Sequence, residues 1–327
     1  MKPSSACRRL ACFALALALA IGSLRAADPK KILLVTVTTG FRHSSIATAE
    51  QVIAQIGKTS HAFVVADYAR QPDIKVPQKP NAPSKPKEPA GDADARAQTR
   101  FAEDLRRFEA ASTRYEQELA QWNSRQDEVK AARAEYDRAL QASLAKLHPD
   151  NLKNFDGVIF ANTTGDLPLP DRQGFIDWVN RGKGFVAMHS GSDTFHGFRP
   201  YIEMLGGEFE THGAQVGVEC LVQDLNHPAT KHFGESFCIE QEEIYLIKSF
   251  DRTKVHSLLA LDKHPNRKKE AGFFPIAWCK EFGQGKVFYT SLGHREDVWE
   301  NPRYQKHILG GIKWALSLEP GDAASGQ

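Results

Sequence analysis

Three histidines stand where an apolar run gives way to polar residues: His43 after Lys31–Val37, His189 after Gly184–Met188, and His294 after Gly285–Thr290. Imidazole titrates near neutrality and ligates metals, so such a set suits acid–base catalysis or metal binding. His212 and His227 lie in further loops beside glycine or proline. No H-E-x-x-H or comparable spacing links any of the 12 histidines. A cofactor, with a divalent metal such as zinc (Zn) as the candidate, therefore has to be assembled from separate loops. His43, His189, His212 and His294 are its candidate ligands.

Other groups could act beside them. Glu296 follows His294 by two residues; a carboxylate there could orient the imidazole, or simply open a surface helix. Ser190 follows His189 at a sharp break from strand to turn, the setting of a nucleophile elbow, but G-x-S-x-G fails because Met188 stands two residues before the serine. His43, His189, Ser190, His294 and Glu296 are thus the catalytic candidates, and Glu243, Tyr245, His212, Trp278 and Asp193 the candidates for contacting substrate.

These residues need strands to hold them. Lys31–Val37 runs through a Gly-containing turn into a helix from Ala47 to Ile56, and His61–Asp67 reads as a second strand. Phe155–Asn162 ends in the polar loop Thr163–Asp166, an amphipathic helix spans Pro170–Asn180, and Gly184–Met188 is a buried strand. Strands alternating with helices specify an α/β fold with a mostly parallel sheet, here a flavodoxin-like three-layer sandwich. The carboxyl ends of such strands share one edge, where ligands bind. From Gln215 to Thr290 the chain is strand-rich, and Tyr304–Leu316 is a closing amphipathic helix.

The α/β unit is interrupted, covering 30–70 and 148–318, with a disordered tail at 319–327. Residues 71–92 carry six prolines among polar residues and read as an extended linker. Residues 93–147 are charged and glycine-free, with apolar positions from Phe101 to Leu147 at 3-and-4 spacing, a long helical, coiled-coil-like insertion. One helix of that length would reach roughly 80 Å. Two antiparallel helices bent near Asn123–Ser124 are the compact alternative; a seam that pairs with a second subunit would make a homo-oligomer.

Lys2, Arg8 and Arg9 precede an apolar run from Leu10 to Ile21, and small residues follow to Ala27. Residues 1–26 thus read as a cleavable signal peptide, giving a periplasmic or secreted protein with no membrane association after cleavage. They hold four of the 42 Lys and Arg and none of the 40 acids, so the mature chain has 38 bases against 40 acids. That balance offers nucleic acid nothing. Cys220, Cys238 and Cys279 remain, without C-x-x-C spacing, and are expected as buried free thiols on strands.

Eight ordered motifs carry a resemblance. They are Gly40-Phe41-Arg42-His43, Ala161–Asp166, Gly184–Ser190, Gly206-Gly207-x-Phe209-x-x-His212, Asp224-x-x-His227-Pro228-Ala229-Thr230, Glu242–Tyr245, Pro275-x-Ala277-Trp278 and Tyr289-Thr290-x-Leu292-Gly293-His294. Together they resemble the ThuA-like (trehalose utilisation) family over roughly residues 31–70 and 150–317. The resemblance implies a class I glutamine amidotransferase-like fold and a role in carbohydrate metabolism. Amidotransferases of that fold carry a cysteine at the elbow, where this chain has His189-Ser190, so glutamine hydrolysis is not expected.

Three functions follow as expectations: an exported enzyme acting on a disaccharide or an oxidised (keto) sugar through a His-rich crevice, a non-catalytic carbohydrate-binding or assembly protein, and a metal-dependent hydrolase. The partner in the first two is a small-molecule carbohydrate.

Overall fold

The computed structural model describes residues 28–91, 93–267 and 270–324. The proposed signal segment lies outside the described residues. In chain order the elements are β1 (Lys30–Val35), α1 (Ile46–Ser60), β2 (Phe63–Ala69), α2 (Ala95–Ser124), α3 (Gln126–Leu144), α4 (Pro149–Leu152), β3 (Gly157–Ala161) and α5 (Arg172–Asn180). There follow β4 (Gly184–Met188), α6 (Arg199–Leu205), β5 (Glu208–His212), β6 (Val216–Val222), β7 (Ser236–Glu242) and β8 (Tyr245–Lys248). The chain closes with β9 (His256–Lys263), β10 (Ala271–Phe282), β11 (Gly285–Thr290), α7 (Glu296–Glu300) and α8 (Pro302–Ala315). Among the described residues no helix is long and apolar enough to cross a membrane.

Nine strands form one mixed sheet in the order β2-β1-β3-β4-β11-β10-β9-β6-β7. The first five are parallel. The late strands extend them antiparallel, and β5 and β8 pair as a separate ribbon. Alternation along the strands explains the layering. Ile32, Leu34, Ile159, Val186 and Met188 join one apolar cluster with Ile53 of α1 and Ile308 of α8. Leu33, Val35, Val158, Phe160 and Phe185 join the other with Phe175 of α5 and Tyr201 of α6. Strands buried on both faces have to read as unbroken apolar runs. The β2-β1-β3-β4-β11 order reverses direction between β1 and β3, and such a switch point opens a crevice at the carboxyl ends.

The insertion departs from expectation. Only Arg125 separates α2 from α3, and Val129 N still donates to Arg125 O, so helical bonding runs almost unbroken. One residue is too short for the two-to-five-residue link of a helical hairpin. Residues 71–91 are not a free linker either. Pro77, Pro80, Pro83, Pro86 and Pro89 are each half-buried while the residues between them are exposed. Three residues is the turn of a polyproline II helix, so all five prolines share one face. On the helices Phe101, Phe108, Tyr115, Trp122, Val129 and Tyr136, seven apart, are half-buried in turn. Gln71 donates to the Tyr136 hydroxyl, and the Lys79 ammonium lies 6.0 Å over the Trp122 ring. The Pro-rich strand therefore runs antiparallel along the helix. A three-residue turn of it advances about 9 Å, against about 10 Å for seven helical residues. The helical seam has its own chain for a neighbour. α2 has no buried residue, whereas Leu140 and Leu144 root α3 in the second cluster.

Two smaller expectations are corrected. Residues 319–324 dock on the body instead of fraying: Glu319 pairs with Lys231 and Lys313, Trp314 Nε1 donates to Gly321 O, and His256 Nδ1 lies 2.8 Å from Ala324 O. Cys220 and Cys279 are buried, but Cys238 faces out from β7, the edge strand.

Candidate metal centre

His43 lies in the loop between β1 and α1, His189 immediately after β4, and His294 in the loop after β11. The parallel register brings these loops to one edge. Glu243 comes from the far end of the strand order, on the two-residue link between β7 and β8. One ligand atom from each of His43, His189, Glu243 and His294 lies within 4.8 Å of every other. His189 Nε2 is 3.1 Å from His43 Nε2, 3.2 Å from His294 Nδ1 and 3.7 Å from Glu243 Oε2. His294 Nδ1 is 3.1 Å from the same carboxylate oxygen.

Protonation sharpens the picture. His189 Nδ1 sits 2.8 Å from the Ser291 carbonyl, which only accepts, so Nδ1 carries the hydrogen and a neutral ring keeps its lone pair on Nε2. Burial, then the neighbouring His43, holds the His189 pKa well below normal, and burial with His294 lowers His43 to about 4. Both rings are therefore neutral near pH 7. His189 Nε2 is approached by His43 Nε2, by His294 Nδ1 and by the Tyr245 hydroxyl at 2.7 Å. One lone pair cannot satisfy three such neighbours with hydrogen bonds alone. Neutral imidazoles and a carboxylate are the donor set of zinc and related divalent ions. Four ligands about 2.1 Å from a tetrahedral centre lie roughly 3.4 Å apart, close to the 3.1–3.7 Å from His189 Nε2 to its three neighbours and the 3.1 Å between His294 and Glu243. The residues fit the ion.

The surroundings fix each ligand. His189 takes a left-handed backbone, φ 47°, so it is the strained residue of this turn and Ser190 is not. The Tyr289 hydroxyl donates to His189 O, and Ser190 Oγ lies 3.3 Å from His43 Nδ1. Ser190 thus orients an imidazole. On Glu243, burial raises the carboxyl pKa but His294 outweighs it and the net shift is downward; His294 itself is shifted up by Glu243 against burial. The second Glu243 oxygen, Oε1, pairs with His212 Nδ1 at 3.0 Å, placing that exposed ring on the rim. Ligating imidazoles normally have such outer partners.

Four of the five loop histidines meet here, and Glu243 and Tyr245 join them. His227 does not: its Nε2 lies 3.6 Å from the Cys279 thiol, in the apolar layer near Trp314. Glu296 is exposed at the start of α7 and bonds Ser44, so the carboxylate on His294 is Glu243. Trp278 is fully buried, donating from Nε1 to Leu205 O and packing on Tyr289, and presents no surface to a ligand. Asp193 is engaged by His196 at 2.6 Å, whose other nitrogen meets Glu208 at 2.9 Å. Two supporting residues sit within the quoted motifs but were not among the site candidates. Glu242 is fully buried and accepts from the Gly293 and His294 backbones, and Asn162 (φ 53°) donates to Gly293 O and Ser45 Oγ, tying three loops together. Its signal was an asparagine at a strand end, the residue type that best tolerates that conformation after glycine.

The fold resembles solved structures. A ThuA-like protein from Parabacteroides merdae superposes with a TM-score of 0.56 at 15% identity, covering 88% of this chain and 90% of its own. One from Bacteroides uniformis gives 0.51 at 16% identity, covering 89% and 93%. No curated protein is significantly similar in sequence. The ThuA family, described as trehalose utilisation, matches residues 108–315, a span that takes in His189, Glu243 and His294 but leaves His43 outside. The match covers well over half of the sequence, and the chain belongs to the ThuA family.

Proposed function

We propose that this protein is a metal-dependent enzyme acting on a disaccharide or an oxidised (keto) sugar, with His43, His189, His294 and Glu243 holding a divalent ion such as zinc. The observation that carries the reading is the convergence of three imidazole nitrogens and one carboxylate oxygen within 4.8 Å. The family's description, trehalose utilisation, supports carbohydrate as the substrate class.

When bound, a divalent ion supplies Lewis-acid polarisation of a sugar oxygen. The chain's own groups do the rest. Burial raises the Tyr245 pKa well above normal, so its hydroxyl keeps its proton and can hydrogen-bond a substrate oxygen beside His189. His212, half outside and paired to Glu243, links the centre to solvent and can carry a proton outward. The basic and apolar stretch from Lys2 to Ile21 supports export, so the site of action is the periplasm or beyond.

The test is elemental analysis of untagged protein beside an assay on trehalose and its keto derivative. About one equivalent of a divalent metal is expected, lost together with turnover in His189→Ala and Glu243→Ala. Turnover that survives complete metal removal would sink the reading.

A further inference from the structure

Phe41 is 68% exposed, and among the described residues the other large apolar side chains in the open (Val64, Leu221, Leu225 and Leu318) are all aliphatic. A lone exposed apolar residue is ordinary, so exposure by itself argues nothing. Placement does. The Phe41 ring meets the His43 imidazole edge to face, 4.9 Å between centroids and 81° between planes. It therefore borders a ring that belongs to the metal centre. Its backbone is pinned: Thr164 Oγ1 donates to Phe41 O at 2.7 Å, and Thr39 N donates to Thr164 O at 2.9 Å. A Cβ on Gly40 would come 3.1 Å from Thr164 Oγ1, so glycine allows this close approach of the two loops. A loop backbone fixed in advance spares binding the cost of ordering it.

We infer that Phe41 is the stacking platform for a pyranose ring at the lip of the centre, an inference that rests on the carbohydrate reading above. One face of a pyranose is a patch of weakly positive C–H groups, which suits the negative face of an aromatic ring. The hydroxyls around its edge remain free for His212 and for the centre itself. An open-chain polyol offers the same hydroxyls with no flat C–H face, so the platform selects cyclic sugars.

Calorimetry on the zinc-loaded full chain tests this with three probes: trehalose, methyl α-glucoside and sorbitol. Wild-type protein is expected to bind both cyclic sugars in preference to sorbitol. Phe41→Ala should weaken them about 5- to 10-fold with metal content unchanged, and Phe41→Trp should restore them. Equal affinity in Phe41→Ala with full metal content overturns the platform and leaves the centre standing. Loss of metal in Phe41→Ala overturns it too, since the ring would then merely shield His43. Wild-type protein that holds zinc and binds none of the three sugars overturns both the platform and the carbohydrate reading.

Discussion

The carboxylate of Glu242 carries the backbone of His294: Oε1 accepts the His294 N–H at 3.2 Å, and Oε2 accepts that of Gly293 at 3.1 Å. A third N–H, from Glu243, reaches Oε1 at 2.7 Å. Burial raises the Glu242 pKa to about 7 against those hydrogen bonds. Two of the proposed ligands thus depend on one fully buried residue. Glu242→Ala leaves buried N–H groups unpaired and should cost about 3 kcal/mol of stability. Metal affinity should fall about 10- to 100-fold, the usual effect of losing an outer partner. Glu242→Gln keeps one acceptor oxygen and should lose less of both. Thermal melts with a competitive metal titration check this; wild-type affinity in the alanine variant would remove the role.

His189 separates backbone strain from ligation. An L-residue in its left-handed conformation costs about 1 kcal/mol, which glycine avoids. His189→Gly should therefore melt slightly above His189→Ala, while both retain under about a tenth of the metal. Elemental analysis beside calorimetry decides, and metal bound normally by either variant would mean the ion sits elsewhere.

Trp278 should matter to folding alone. Trp278→Phe removes a buried ring and orphans the Leu205 carbonyl, at about 1–3 kcal/mol. The folded fraction should turn over substrate within about twofold of wild type. A tenfold fall in kcat/KM without a lower melting point would return Trp278 to the site.

His196 lends a pH-dependent contribution. Burial lowers its pKa, but hydrogen bonds to Glu208 and Asp193 outweigh it and the net shift is upward. A raised folded-state value means the stabilisation is complete below the unfolded histidine pKa and is lost as pH rises through the folded one. Glu208, shifted down on balance, sets the acid limit in the opposite sense. His196→Gln should thus cost most near pH 5.5 and little near pH 9. Solvent screening at this half-exposed ring limits the difference to about 1 kcal/mol. A flat difference across that range of melts would exclude it.

The inserted rod should open without unfolding the body. Trp122→Ala removes a rung between the Pro-rich strand and the helix, so limited proteolysis within 71–91 should quicken several-fold. The global melting point should hardly move, because α2 contributes no buried residue to the core. A large fall in melting point would make the rod part of the core's cooperative unit.

Much of this arrangement is legible in the amino-acid sequence. His43, His189 and His294 each follow an apolar run that breaks abruptly, and a parallel sheet gathers such breaks at one edge. Glu243 and Tyr245 could be flagged only as charged and hydroxylic residues beyond a strand. Nothing local says that the β7–β8 link brings Glu243 to the three histidines. Glu296 misled because proximity in sequence stood in for proximity in space. Trp278 misled because Ile276–Cys279 is buried on both faces, where alternation no longer marks a side that meets solvent. The proline tract hid a periodicity. Its composition suggests a linker, and only the spacing of three, set against the heptads that follow, reveals two matched legs.

That match constrains how the arm can vary. Its rungs recur at nearly the same height on both uprights, though one climbs in threes and the other in sevens. A change confined to either upright would misalign every rung beyond it. Related chains with longer or shorter arms should therefore differ by paired increments, and the reach of the arm should be inherited in whole steps.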